Sequence, residues 1–247
     1  MIRYKISIEY NGIKFSGWQK QPDVCTVQQT IEEALAKLEK KNINVVCAGR
    51  TDAGVHAIEQ IAHFDMAKDF DTFTLQQALN HHLKGLGISI FNVEKMPIDS
   101  NFHARFSAQS REYIYKILNR RYPPTFASFQ YWWIPVELDL ELMIDASKIL
   151  LGTHDFSSFR ANGCQAKSPI RSIDEINFTK DGDVISMHIK APSFLYHQVR
   201  NIIGTLYLIG RKKMTKQELI EALNAKNRAS AGITAPPFGL YFYKVNY

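Results

Sequence analysis

The 247-residue chain reads as an α+β protein in two halves. Strand-period and helix-period apolar runs alternate up to about residue 105, the pattern restarts near residue 106, and the second stretch repeats the first in outline. No internal sequence repeat or low-complexity tract accompanies that likeness. The expected division is therefore 1–105 and 106–247.

Tyr4, Ile6, Ile8 and Tyr10 alternate with Arg3, Lys5, Ser7 and Glu9, the period of a half-buried strand, which Asn11-Gly12 ends. A polar loop with Trp18 and Pro22 follows. Thr26 and Gln29 have capping-box spacing, and Val27, Ile31, Leu35 and Leu38 recur as on a helix. Ile43 to Ala48 and Ile58 to Met66 predict strands. Leu75, Leu79 and Leu83 predict a helix with Thr72 in position to cap it and Gly85 past its end, and Ile88 to Met96 a further strand.

In the second half, Arg111, Tyr113, Tyr115 and Ile117 set a strand running to about Leu118. Asp139 opens a helix through Met143, Ala146 and Leu150 that Gly152 stops, and Thr153 to Ser168 reads as a polar loop. Ile170–Phe178 and Val184–Ala191 flank Asp181-Gly182, a two-residue hairpin signal. Ser193 stands as cap to the longest helical pattern, with Leu195, Val199, Ile202, Ile203 and Leu206 on one stripe and Gly210 at the end. Thr215 and Glu218 form another capping box, and Tyr241, Tyr243, Val245 and Tyr247 a closing strand.

Composition narrows the class. Hydrophobic residues make up 45% and charged residues 22%, a globular balance, and no apolar run approaches the roughly 20 residues a membrane helix needs. Met1 leads directly into a strand pattern, so a cytoplasmic protein is expected. Cys25, Cys47 and Cys164 are an odd number at unrelated spacings, as reduced packing thiols would be. Thirty Lys and Arg against 24 Asp and Glu leave +6, compatible with a polyanionic partner. Many of those cations, among them Arg105, Arg160 and Lys212, fall in loops and at element ends with aromatics between them, an arrangement suited to RNA.

The stretch carrying chemistry is Gly49-Arg50-Thr51-Asp52-Ala53-Gly54-Val55-His56-Ala57, placed between two predicted strands. Glycines at both ends allow tight turning and close approach to a ligand, and a cation and a carboxylate stand two residues apart. On the loop alone, an active-site loop and a structural turn capped by Thr51 and Asp52 fit equally. Other sites fail on spacing. Val55 stands where a phosphate loop needs Lys, no Gly-x-Gly-x-x-Gly follows a strand, and His81-His82 and His154-Asp155 form no ligand cluster, so neither nucleotide cofactor nor metal is expected. No nucleophile-elbow motif holds a Ser or Cys, which leaves Asp52 as the candidate nucleophile. Arg200, at the edge of its apolar stripe, either snorkels to water or is held in a cleft by a carboxylate.

Together with the Asp52 loop, Phe102-His103-Ala104-Arg105-Phe106-Ser107, Arg111-Glu112-Tyr113-Ile114-Tyr115, His154-Asp155-Phe156, Ser158-Phe159-Arg160 and Phe194-Leu195-Tyr196-His197-Gln198-Val199-Arg200-Asn201 resemble the tRNA pseudouridine synthases of the TruA type. The resemblance spans nearly the whole chain. It implies two ferredoxin-like halves sharing one mostly antiparallel sheet with the active site in the cleft between them. It also implies a homodimer that isomerises uridine to pseudouridine in the tRNA anticodon stem-loop without a cofactor. By the same resemblance Asp52 is the nucleophile, Arg200 the partner of its carboxylate, Tyr113 the ring that stacks on the target base, and Arg50 a residue that holds the flipped nucleotide. Arg105, Arg160 and Lys212 are the cations expected to meet RNA. A non-catalytic RNA-binding protein on the same kind of sheet is the alternative, and it has no use for a carboxylate aimed at a polyanion. A sugar-cleaving hydrolase would need a second carboxylate that the motifs lack.

Overall fold

A computed structural model describes residues 1–97 and 99–247. They divide into two units, Met1–Arg111 with Tyr241–Tyr247, and Glu112–Leu240. The closing strand thus belongs with the first unit, although its place in the sequence puts it at the end of the second half.

The first unit runs β1 (Ile2–Tyr10), α1 (Val27–Glu39), β2 (Val46–Cys47), β3 (His56–Met66), α2 (Thr72–Leu83) and β4 (Ile88–Lys95). β1 lies between β4 and β3, antiparallel to both, and β2 is antiparallel to β3. The order β4-β1-β3-β2 is that of a ferredoxin-like split βαβ sheet. Tyr4, Ile6 and Ile8 of β1, Ile31 and Leu35 of α1, and Leu75 and Leu79 of α2 are all fully buried in the core of the unit. Each such aliphatic side chain contributes about 1.5–3 kcal/mol by leaving water.

Local chemistry trims the predicted elements. Only Val46 and Cys47 of the Ile43–Ala48 run join the ladder, because the Val45 N–H donates to the Glu32 carboxylate of α1 (3.1 Å) instead. Thr26 caps α1 through the Gln29 N–H (3.3 Å), but the Gln29 amide donates to Glu33 (2.9 Å), which leaves the capping box half made. Asp71, not Thr72, caps α2, its carboxylate accepting from the Thr74 N–H at 2.9 Å.

The second unit takes in most of β5 (Ser110–Asn119), then β6 (Trp132–Ile134), α3 (Leu140–Ser147), β7 (Gly152–Asp155), β8 (Ile170–Ile173), β9 (Glu175–Asp181), β10 (Val184–Ala191), α4 (Gln198–Gly210) and α5 (Lys216–Ala225). The chain closes with β11 (Leu240–Asn246). β10 lies between β5 and β9, and β6 runs parallel to β5. The strand expected over Ile170–Phe178 divides at Asp174, since β8 pairs with β7 while β9 pairs with β10. Asp181 and Val184 are the last pair of the predicted hairpin, with Gly182 at φ +54° in its turn.

Helix α4 begins at Gln198 rather than at Ser193. His197 sits before it in the left-handed region (φ 61°), and the Gln198 side chain accepts the Leu195 N–H at 2.8 Å. Nearly every α4 residue is buried, not just the predicted stripe, because the segment after α5 crosses it: a Cβ on Gly204 would lie 1.8 Å from the Ile233 carbonyl oxygen. The Thr215/Glu218 capping box of α5 is complete. Among the described residues no helix is long and apolar enough to cross a membrane.

Candidate active site

The far edge of β3 is shared. β2 pairs near its middle, at Ala62 and His63, while β11 pairs in parallel at its start, Tyr241 with His56 and Phe242 with Ala57. Residues 48–55 leave the sheet between these two pairings, and Gly49 passes so close to Phe242 that a Cβ there would be 2.8 Å from the ring. The Gln60 amide, reaching back from β3, donates to the Gly49 carbonyl at 2.7 Å.

The segment after β1 clasps this loop from the other side. Asn11 accepts from the Ile13 N–H and starts a short 3-10 turn, and the Gly12 N–H donates to His56 Nδ1 at 3.2 Å. A Cβ on Gly12 would stand 1.9 Å from the Val55 carbonyl oxygen, so only glycine lets the two strands of chain touch. Gly17, at φ +92°, is likewise pressed on Thr51, whose carbonyl accepts from the Trp18 N–H at 3.0 Å. The Gly54 N–H donates to Phe15, and the Val55 N–H turns back on the Asp52 carbonyl. Beneath these contacts the Tyr10 and Thr51 hydroxyls meet at 2.7 Å, both residues buried. Burial pushes the Tyr10 phenol well above its ordinary value, with its hydrogen bonds to Thr51 and Gln60 pulling the other way, so it stays protonated at neutral pH.

On this frame Asp52 is partly exposed and Arg50 exposed, while Thr51 between them is buried. The loop therefore turns its acid and its cation outward and anchors itself through the residue between. Burial raises the Cys47 thiol to about 12, and the charges of Arg50 and then Arg105 oppose the rise. Arg105 is exposed, its guanidinium 5.9 Å from the centre of the Phe106 ring.

The second unit holds the remaining candidates. Tyr113 is partly exposed on β5, edge-on to Phe194 with ring centres 5.2 Å apart. Tyr115, two residues along the same strand face, is buried and its phenol donates to the Pro236 carbonyl (2.8 Å). Burial raises that phenol well above its usual value, and the charge of Arg200 opposes the rise. Arg200 Nε donates to the Ala235 carbonyl (2.8 Å) while the Ala235 N–H donates to the Arg200 carbonyl (3.1 Å), an exchange that fixes the guanidinium plane. Asn201 beside it is buried, with its amide on the Phe159 carbonyl and its oxygen receiving Arg228 and Thr234. Arg160 donates to the Cys164 and Ala166 carbonyls within its own loop, and Lys212 pairs with Asp139 at 3.2 Å on the surface.

Sequence reasoning did not single out Tyr10, Gly12 or Gly17 as parts of the site. The only local sign was a pair of glycines flanking a turn in the segment before Trp18, and their use depends on contacts made about forty residues along the chain. Among the described residues no three His, Cys, Asp or Glu side chains gather as metal ligands do.

A family model described as tRNA pseudouridine synthase matches residues 6–107 and 146–247. Curated relatives called tRNA pseudouridine synthase A align with the whole chain over their whole lengths. The one from Ehrlichia chaffeensis is 49% identical over 247 residues, covering 100% of both chains. Those from Wolbachia pipientis wMel and Ehrlichia canis are each 47% identical with the same coverage.

Proposed function

The chain belongs to the tRNA pseudouridine synthase family, and from that premise we propose that it isomerises uridine to pseudouridine in tRNA, with Asp52 as its nucleophile. The observation that carries the assignment is the build of the Asp52 loop. Its buried residues are locked by Gly12, Gly17, Tyr10 and Gln60, and the carboxylate is left partly exposed at a fixed position.

The reaction leaves the atom count unchanged. The bond from uracil N1 to ribose C1′ breaks, the base turns, C5 bonds to C1′, and the proton lost from C5 is balanced by one gained at N1. A carboxylate serves this sequence by attacking or stabilising C1′, or by removing a sugar proton, as the first bond breaks. A base stacked in a stem cannot turn, so the nucleotide is first extruded, at a cost of a few kcal/mol. Stacking on Tyr113 offsets part of that cost and Arg50 holds the displaced nucleotide. Arg200 is assigned the orientation of that carboxylate, the role the family relationship gives it. Arg105, Arg160 and Lys212 are the cations we assign to the phosphates, Arg160 and Lys212 by exchanging their present partners for RNA. The family relationship supports uridines of the anticodon stem-loop as targets, a homodimer as the working form and the cytoplasm as the compartment.

Nucleoside analysis of an unmodified tRNA transcript before and after incubation tests the activity. Pseudouridine should appear at anticodon stem-loop positions in EDTA without added cofactor, and no free uracil should be released. Intact binding with unchanged nucleosides would return the chain to a simple RNA binder, and free uracil would make it a hydrolase.

A further inference from the structure

Residues Phe102–Ser107 form a turn fixed from beneath by hydrogen bonds. Arg3 donates to the Phe102 carbonyl (2.7 Å) and Tyr247 to that of Ala104 (2.8 Å), and the Ala104 N–H donates to Nδ1 of buried His63 (3.1 Å). Arg111 donates to the Arg105 carbonyl. Within the turn the Ser107 N–H reaches the His103 carbonyl (2.9 Å), and His103 Nδ1 accepts from the N–H groups of Arg105 (3.2 Å) and Phe106 (3.3 Å). The backbone is thus held at nearly every residue, yet Phe106 is 77% exposed.

The ring is not merely left over on the surface. It stacks on the His103 imidazole, centres 4.4 Å apart and planes 29° from parallel, and His103 meets His63 at 4.7 Å. A column of rings therefore rises from the interior of the unit and ends on a phenyl face open to solvent. The Arg105 guanidinium stands beside that last ring, and among the described residues no carboxylate pairs with it.

We propose that Phe106, backed by His103, is a stacking platform for an unpaired nucleobase of the RNA substrate, with Arg105 on the adjoining phosphate. Every base has a π-face, so the platform contributes affinity without reading sequence. The rigid turn also spares the cost of ordering the ring on binding. Charge selects the occupant. A cation without a carboxylate partner beside an open aromatic face matches a nucleotide, whereas a protein surface would need an apolar pocket and an acid together. Phe106 belongs to the first unit and Tyr113 to the second, so the two rings are distinct candidates. It rests on RNA being the substrate, not on Asp52 being the nucleophile.

The test measures tRNA affinity at several salt concentrations, with light scattering and pseudouridine yield on the same samples. Phe106→Ala and Phe106→Leu should each raise Kd by roughly 5- to 30-fold, while Phe106→Trp stays at or below the wild-type value. Phe106→Ala should leave the slope of log Kd against log salt unchanged, and Arg105→Ala should lower it by about one phosphate contact. Because the ring is exposed, the melting temperatures should not move. Wild-type affinity in Phe106→Leu would overturn the platform, as would a change of molecular mass in Phe106→Ala, which would show that the ring meets a second copy. If the wild type binds tRNA but makes no pseudouridine, the activity fails while these affinities still decide the platform.

Discussion

The hydroxyl of Tyr10 on β1 lies 2.7 Å from that of Thr51, the residue just ahead of Asp52, and both are buried inside the first unit. The backbone of Thr51 is also held, its carbonyl accepting from the Trp18 N–H. The aspartate therefore starts from a residue fixed at both its side chain and its backbone. Tyr10→Phe removes only the hydroxyl and should cost about 1 kcal/mol of stability for the lost buried hydrogen bond. The turnover rate on bound tRNA should fall roughly three- to tenfold as the carboxylate wanders, with Kd unchanged. Unchanged single-turnover rates would make the pair structural only.

Gly12 is the tightest point of the clasp. An added methyl would stand 1.9 Å from the Val55 carbonyl oxygen, which is backbone and cannot swing aside. Gly12→Ala should therefore shift the loop, lower turnover by more than tenfold and destabilise the unit by about 1–3 kcal/mol, as overpacking does. Chemical denaturation alongside single-turnover kinetics checks both, and near-normal values in both would mean that the clasp does not fix the loop.

Much of this was legible in the sequence and some was not. The strand and helix periods located most elements, since a buried face must repeat at the period of its element, and Asp181-Gly182 marked its hairpin. The cap of α2, the late start of α4 and the shortness of β2 were hidden because each is decided by a tertiary partner: Asp71 outcompetes Thr72, Gln198 takes the Leu195 N–H, and Glu32 takes the Val45 N–H. The loop motif offered Asp52 as a candidate, no more than that. The clasp around it could not be read, because Gly12 resembles any turn glycine until Val55 is beside it.

His63 makes the first unit sensitive to acid. Burial, then the charges of Arg3 and His103, lower its imidazole from 6.5 to about 4, with Asp65 opposing, and its Nδ1 is occupied by the Ala104 N–H. A folded-state value below the unfolded one means that the neutral form is stabilised. That stability is whole above pH 6.5 and is lost as pH falls from 6.5 towards 4. The unfolding free energy should slope by up to about 1.4 kcal/mol per pH unit across that window. His63→Gln should flatten the slope, and an equal slope in that variant would assign it to other groups.

Arg200 offers a test of geometry against charge. Its Nε bond to the Ala235 carbonyl sets the plane of the guanidinium, and lysine has neither that donor nor the planar fork. Arg200→Lys should leave net charge and tRNA affinity nearly unchanged while lowering the single-turnover rate by at least about a hundredfold. A near-wild-type rate would confine Arg200 to packing at the edge of α4.

The most direct measurement is made on Asp52→Asn, which keeps the shape of the side chain and removes its charge. Single-turnover pseudouridine formation and tRNA affinity are measured on the same preparation. Affinity should stay within a few fold of wild type, because phosphate contacts spread over the protein supply most of it, while turnover falls below detection. Residual turnover near the wild-type rate, or affinity lost in the same proportion as activity, would contradict Asp52 as the nucleophile.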